Sequence, residues 1–140
     1  MPTFSQMTSE VQSNLQGYSL RQDRITWVAT AGGISATDLS IKIGSADNLA
    51  KGIVQIDNEL IWVNSFDRQN LTLNVAPGFG RGYMGTTPSP HAQNAQVILT
   101  PTFPITMIQQ AINDSINALY PKLFQVSSTT FTYNAAQIAY

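Results

Sequence analysis

A chain of 140 residues, 43% of them hydrophobic, can bury the core of one domain. Its eight acidic and seven basic side chains leave a net charge of −1, and the basic residues are scattered, which argues against a nucleic-acid interface. It has no cysteine, which excludes disulfides and thiolate metal sites, and no apolar run approaches the roughly 20 residues of a membrane-spanning helix. The start of the chain lacks the basic and apolar segments of a signal peptide, so it reads as a soluble protein. Only 11% of residues are charged, about half the usual share. Polarity comes instead from Ser, Thr, Asn and Gln. Such a surface repels its neighbours weakly and suits a subunit packed among others.

Residues 3–16 predict a helix. Phe4, Met7, Val11 and Leu15 recur at spacings of three or four and form one stripe. Thr3 and Gln6 fit a capping box, and Gly17 fits the left-handed position that ends a helix. Residues 25–30 read as a strand with Trp27 as its large residue. Residues 38–43 read as another, with Leu39, Ile41 and Ile43 on one face. Three more follow at 52–57, 59–64 and 71–75. In the first of these, Val54 and Ile56 fall on one face and Ile53, Gln55 and Asp57 on the other. Asp57-Asn58-Glu59 suggests a tight hairpin with Asn58 at positive φ. A glycine-rich bend, 78–85, leads past Thr86, Thr87, Pro88 and Pro90 to His91. A short strand at 96–100 then carries Val97 and Leu99 on one face. Pro101 and Pro104 stop the sheet. Pro104 suits the first position of a helix over 104–120, whose stripe is Ile105, Ile108, Ile112, Ile116 and Leu119.

The expected architecture is α+β: a small antiparallel β-barrel or sandwich over 24–100, set between an N-terminal and a C-terminal helix. Residues 121–140 read as an extended segment that also fits the opening of a further domain. Phe124, Val126, Phe131, Tyr133 and Ile138 make it too apolar for a free tail, yet they form no helical stripe. Docking on the sheet edge of a neighbour would suit it, and a chain that continues beyond Tyr140 would suit it too.

Several residues invite chemical readings. Gly80, Gly82 and Gly85 spell G-x-G-x-x-G, but the two prolines that follow do not continue into the helix a dinucleotide site needs. A P-loop would need lysine where Thr86 stands. His91 is the single histidine, and no metal-ligand cluster lies near it in sequence. As a hydrolase residue it would draw on Ser89, Thr86 or Asp67, without any nucleophile elbow. The simpler reading has its ring nitrogens fastening the loop to backbone carbonyls or to Thr86. Asp57 and Glu59 could serve as an acid and a base, although charged residues at hairpin ends are commonplace. Trp27, Trp62, Phe66 and Tyr83 could make an aromatic platform, although such residues are ordinary in a small β core. No catalytic, cofactor-binding or metal-binding residue is assigned.

One stretch resembles a module common in tailed-phage structural proteins. It runs from Asp57 and E-L-I-W-V (Glu59–Val63) to R-G-x-x-G-T-T-x-x-x-H, with Arg81, Gly82, Gly85, Thr86 and His91 as a structural loop motif. The flanks L-Q-G-Y-S-L-R-Q-D (15–23) and F-P-I-T-M-I-Q-Q-A-I-N-D-S-I-N-A-L-Y-P-K-L-F (103–124) resemble head-to-tail connector or adaptor proteins of long-tailed bacteriophages. The resemblance implies a non-enzymatic virion protein of the neck, without cofactor. It would form a ring of about twelve copies, a dodecamer, through heterologous contacts. Its partners would be the portal protein above and the next neck or tail-terminator ring below, with genomic DNA only passing through the channel and no membrane contact. Ile105, Ile108, Ile112, Phe124, Phe131 and Tyr133 are the expected assembly contacts. Many adaptors are chiefly helical, whereas this chain carries a β module, so stopper and other neck-ring roles stay open. The alternative is a tail-tip, receptor-facing or glycan-binding module.

Overall fold

The structure is a computed structural model that describes residues 3–45, 47, 49–119 and 122. The element order is α1 (Phe4–Tyr18), β1 (Arg24–Trp27), β2 (Ser40–Lys42), β3 (Gly52–Ile56), β4 (Glu59–Asp67), β5 (Thr72–Val75), a 3₁₀ turn (Tyr83–Gly85), β6 (Gln96–Leu99) and α2 (Ile105–Leu119). The expected α+β class holds. All strand pairs are antiparallel, in the order β1-β6-β3-β4-β5-β2. The sheet curls until its outer strands meet. Val28 and Ile43 form a bridge there, and Ala29 N–H donates to the Lys42 carbonyl at 2.8 Å.

The alternation read from sequence fixes which face is buried. Val54 and Ile56 of β3, Ile61 and Val63 of β4, and Val97 and Leu99 of β6 share the concave face with Ile41, Leu73 and Val75. A register shift between Val63 and Ser65 bends β4. The hairpin joining β3 and β4 pairs Ile56 with Glu59, so Glu59 lies on the same inward side. Its positive φ, 50°, falls on Asp57 rather than on Asn58 as expected.

The helices pack together, and both meet Gln55 on the outer face of β3. Thr3 and Gln6 form the expected capping box, with Thr3 N–H donating to Gln6 Oε1 at 2.8 Å and Gln6 N–H to Thr3 Oγ1 at 3.2 Å. Gly17 does not end α1. The helix runs to Tyr18 and is capped by Ser19, whose N–H donates to the Gln16 carbonyl at 3.2 Å. The apolar stripe of α1 is likewise not its buried side. Phe4, Val11 and Leu15 are part-exposed, while Thr8 and Gln12 are buried. The reason is a polar seam. Gln12 exchanges amide hydrogen bonds with Gln55 at 3.2 and 3.3 Å and donates to the Phe103 carbonyl at 3.0 Å. Gln55 Oε1 in turn accepts from Ile105 N–H at 3.1 Å, which seats the first turn of α2.

The α2 stripe is buried only at its start. Ile105 and Ile108 are enclosed within the chain, so they are core residues rather than contacts offered to a neighbour. Ile112 is half-buried, and Ile116 and Leu119 are exposed. Trp27, the large residue of its strand, and Leu39, grouped by alternation with Ile41 and Ile43, are about half exposed: Trp27 lies outward against Gly44, where any Cβ would overlap its indole ring. Phe124, Phe131, Tyr133 and the rest of 123–140 lie outside the described residues.

This burial pattern sets the expected mutational contrast. Ile108→Ala should cost about 2–5 kcal/mol in urea unfolding. Leu20→Ala, at a fully exposed position, should stay within about 0.5 kcal/mol of the parent. Equal effects would contradict the packing described.

Candidate functional site

The residues singled out in the loop motif converge on one carboxylate. Glu59 opens β4, and its side chain is fully buried. Burial of an unpaired charge costs several kcal/mol, so the fold must surround it with donors. It does so with five. Oε1 accepts from Arg81 Nε at 2.7 Å and from Gly82 N–H at 2.9 Å. Oε2 accepts from Arg81 Nη2 at 2.9 Å, from Ser89 N–H at 3.0 Å and from His91 Nε2 at 2.9 Å. The Arg81 pair is the bidentate fork that carboxylates favour.

Arg81 is equally saturated. Nη1 donates to the Ser35 and Asp38 carbonyls at 2.6 and 3.0 Å, and Nη2 also donates to the Ser89 carbonyl at 2.7 Å. All five guanidinium hydrogens therefore have acceptors. The other face of the His91 ring meets Asp57, with Nδ1 to Oδ2 at 2.8 Å. The His91 backbone is tied to Ile34 by two hydrogen bonds, at 2.8 and 2.9 Å. Gly33 lies beneath it at φ 85°, where a Cβ would stand 2.2 Å from the His91 carbonyl oxygen.

The glycine bend supplies the geometry. Gly82 and Gly85 have φ of 64° and 80°. At Gly82 a Cβ would also come within 2.6 Å of the Thr86 carbonyl, so the donor N–H at this position depends on glycine. Thr86 fastens the bend to β4: Leu60 N–H donates to its hydroxyl at 3.0 Å, and the hydroxyl donates to the Tyr83 carbonyl at 2.9 Å. The G-x-G-x-x-G spelling thus builds a strap over the sheet, with no helix behind it to face a phosphate.

Two expectations need correcting. His91 does not bond backbone carbonyls or Thr86 through its ring. Both ring nitrogens meet carboxylates from 32 and 34 residues away in sequence. Asp57 and Glu59 are not merely charged hairpin ends: one is buried and both hold His91. The aromatic residues do not gather into one platform. The Trp62 and Tyr83 rings meet at a centroid distance of 5.2 Å, tilted by 39°, while Trp27 lies on the outer strand β1.

Two carboxylates across one imidazole require an N–H on each nitrogen, and only the imidazolium has both. Burial alone would depress the His91 pKa, but the hydrogen bonds it donates to Glu59 and then Asp57 outweigh it, and the pKa lies above its ordinary 6.5. Burial likewise pushes Glu59 upward. Arg81, His91, Ser89 and Gly82 overcome it and hold the carboxyl at about 2, against an ordinary 4.5. The cluster is therefore two cations and two anions with no net charge. Both carboxyl oxygens of Glu59 and every N–H of Arg81 are engaged within the protein, which leaves a substrate no free atom on either group. His91 has no ring nitrogen left to activate a hydroxyl.

A polar cleft lies on the far side of the hairpin. It measures about 390 Å³ and is lined by α1 hydroxyls and amides, Ser9, Gln12 and Gln16 among them, with Asn58 and Gln96 opposite. Compared with protein families, with curated proteins and with solved structures, the chain gives no match.

Glu59→Gln removes the charge that Arg81 and His91 share. It should cost about 3–5 kcal/mol in urea unfolding. Asp57→Asn, at a side chain 58% exposed, should cost less than about 1 kcal/mol. A reversed order would show that Glu59 is not the centre of the cluster.

The two titrations act in opposite directions. The depressed Glu59 contributes stability above pH 4.5 that is lost as pH falls toward 2. The raised His91 contributes stability below pH 6.5 that is lost as pH rises through its folded value. Urea midpoints should therefore peak between roughly pH 4.5 and 6.5, and His91→Asn should flatten the alkaline limb. Midpoints that rise steadily from pH 6 to 8 would contradict this.

Proposed function

We propose that the chain is a virion structural protein, a ring-forming component of the neck of a long-tailed bacteriophage that joins the portal to the tail and extends the DNA channel. The observation that supports this most directly is the fate of the residues that carry the resemblance. Glu59, Arg81, Gly82, Thr86 and His91 converge on one self-satisfied cluster that fixes a long surface strap to a small sheet. Groups that are fully engaged with one another suit a rigid scaffold better than turnover, in which polar groups must exchange partners with substrate.

Composition and surface support the same reading. The surface carries little charge, and Phe79 and Met84, both on the strap, stand about 59% exposed. Exposed apolar side chains of this size suit contacts with other subunits. The glycan-binding alternative calls for aromatic rings beside amides in one groove. The polar cleft along α1 has the amides, but among the described residues its lining includes no Trp or Tyr.

An antibody against the purified chain should label tailed-phage particles at the head–tail junction. Particles assembled without the chain should accumulate as DNA-filled heads lacking tails. Label at the tail tip, or normal tailed particles in its absence, would overturn the proposal.

A further inference from the structure

α1 and α2 leave an open apolar groove of about 450 Å³ between them. Val11 and Leu15 form one wall. Met107, Ile112, Ile116 and Leu119 form much of the other. Among the described residues no charged side chain lines it. Helix stripes of this width are normally covered, because apolar area left in water forfeits the free energy of burial. Among the described residues nothing covers the groove.

We propose that residues 123–140 of the same chain occupy this groove. Three observations point to that segment. First, α2 delivers it there: Leu119, the last residue of α2, is itself part of the lining, and the segment begins four residues later. Tethering at such short range gives a high effective concentration, which favours the attached segment over any free partner. Second, the chemistry matches. Residues 123–140 contain no charged side chain and carry Leu123, Phe124, Val126, Phe131, Tyr133 and Ile138. Third, the length suffices. A helix of 15 residues is roughly 22 Å long, and about seven extended residues span that distance.

The sheet edges are a poorer destination. The outer strands β1 and β2 already meet at the Val28–Ile43 bridge, and Ala29 N–H is spent on the Lys42 carbonyl. Strand addition would have to displace these pairs. Filling the groove displaces only water. The proposal stands apart from the neck reading and holds or falls without it.

The test uses the full chain, which has no native cysteine. A spin label on Ser128→Cys should broaden the amide signals of Val11, Leu15 and Ile112. Adding Ile116→Asp should abolish the broadening at Val11 and Leu15. Ile116 is 54% exposed, so this change leaves the core intact, as unchanged signals from the sheet would verify. Isotope-labelled chain without the spin label, mixed with spin-labelled chain, should show no broadening. Signals at Val11 and Leu15 that never broaden would overturn the proposal, as would broadening that survives Ile116→Asp. Broadening in the mixed sample would assign the groove to a second copy and overturn it equally.

Discussion

The fold depends on a buried carboxylate that cannot be left unpaired. Glu59 stands on the inward face of the sheet, in line with Ile61 and Val63, where an apolar side chain would be expected. Its charge is tolerable only when Arg81, His91 and the Gly82 and Ser89 amides close around it. Each donor lies on the 78–91 strap, which is also held at Gly80, at Thr86 and at the Ile34–His91 bridge. Arg81 then collects the Ser35 and Asp38 carbonyls, and His91 collects Ile34 and Asp57. One side chain thereby fixes the β3–β4 hairpin, the 78–91 strap and the 33–38 loop relative to one another. The net gain in stability from such a cluster is modest, since desolvation offsets much of the attraction. Its effect is selective: any other placement of the strap leaves a buried charge without a partner, so alternatives are penalised.

The opposite side of the sheet follows a different rule. There the helices are seated by neutral amides. Gln55 sits on the outer face of β3 and links Gln12 of α1, the Ile105 amide of α2 and the Asp57 carbonyl. The helix stripes beyond this seam are not consumed by the sheet. Charged groups thus close the end of the sheet, amides orient the helices, and the apolar faces of α1 and α2 remain for something further.

What could be read from the sequence followed from local periodicity. Alternation at Val54/Ile56 and at Val97/Leu99 gave the buried faces, and Pro104 with the isoleucine stripe gave α2. Glycines at 82 and 85 signalled left-handed backbone, and Thr3 with Gln6 signalled the cap. The misreadings arise where a distant partner decides. Gln12 is buried because Gln55 and the Phe103 carbonyl await it, which no helical stripe reveals. Gly17 stays helical because Ser19 and Gln22 supply the closing hydrogen bonds to the Gln16 carbonyl. The partners of His91 lie 32 and 34 residues away, beyond any local pattern. One signal was present. In a chain with so few charges, two acids flank a hairpin amid apolar neighbours, and one arginine and the single histidine sit in the next glycine-rich loop. Charges that a sequence places among apolar residues need partners, and these four were available to each other.

The protonation state of His91 tests this account most directly. A long-range ¹⁵N–¹H correlation spectrum of the imidazole at pH 6.5 should show both Nδ1 and Nε2 carrying slowly exchanging protons, as an imidazolium clamped between Glu59 and Asp57 requires. A neutral ring with a single protonated nitrogen at that pH, or two rapidly exchanging protons, would contradict it.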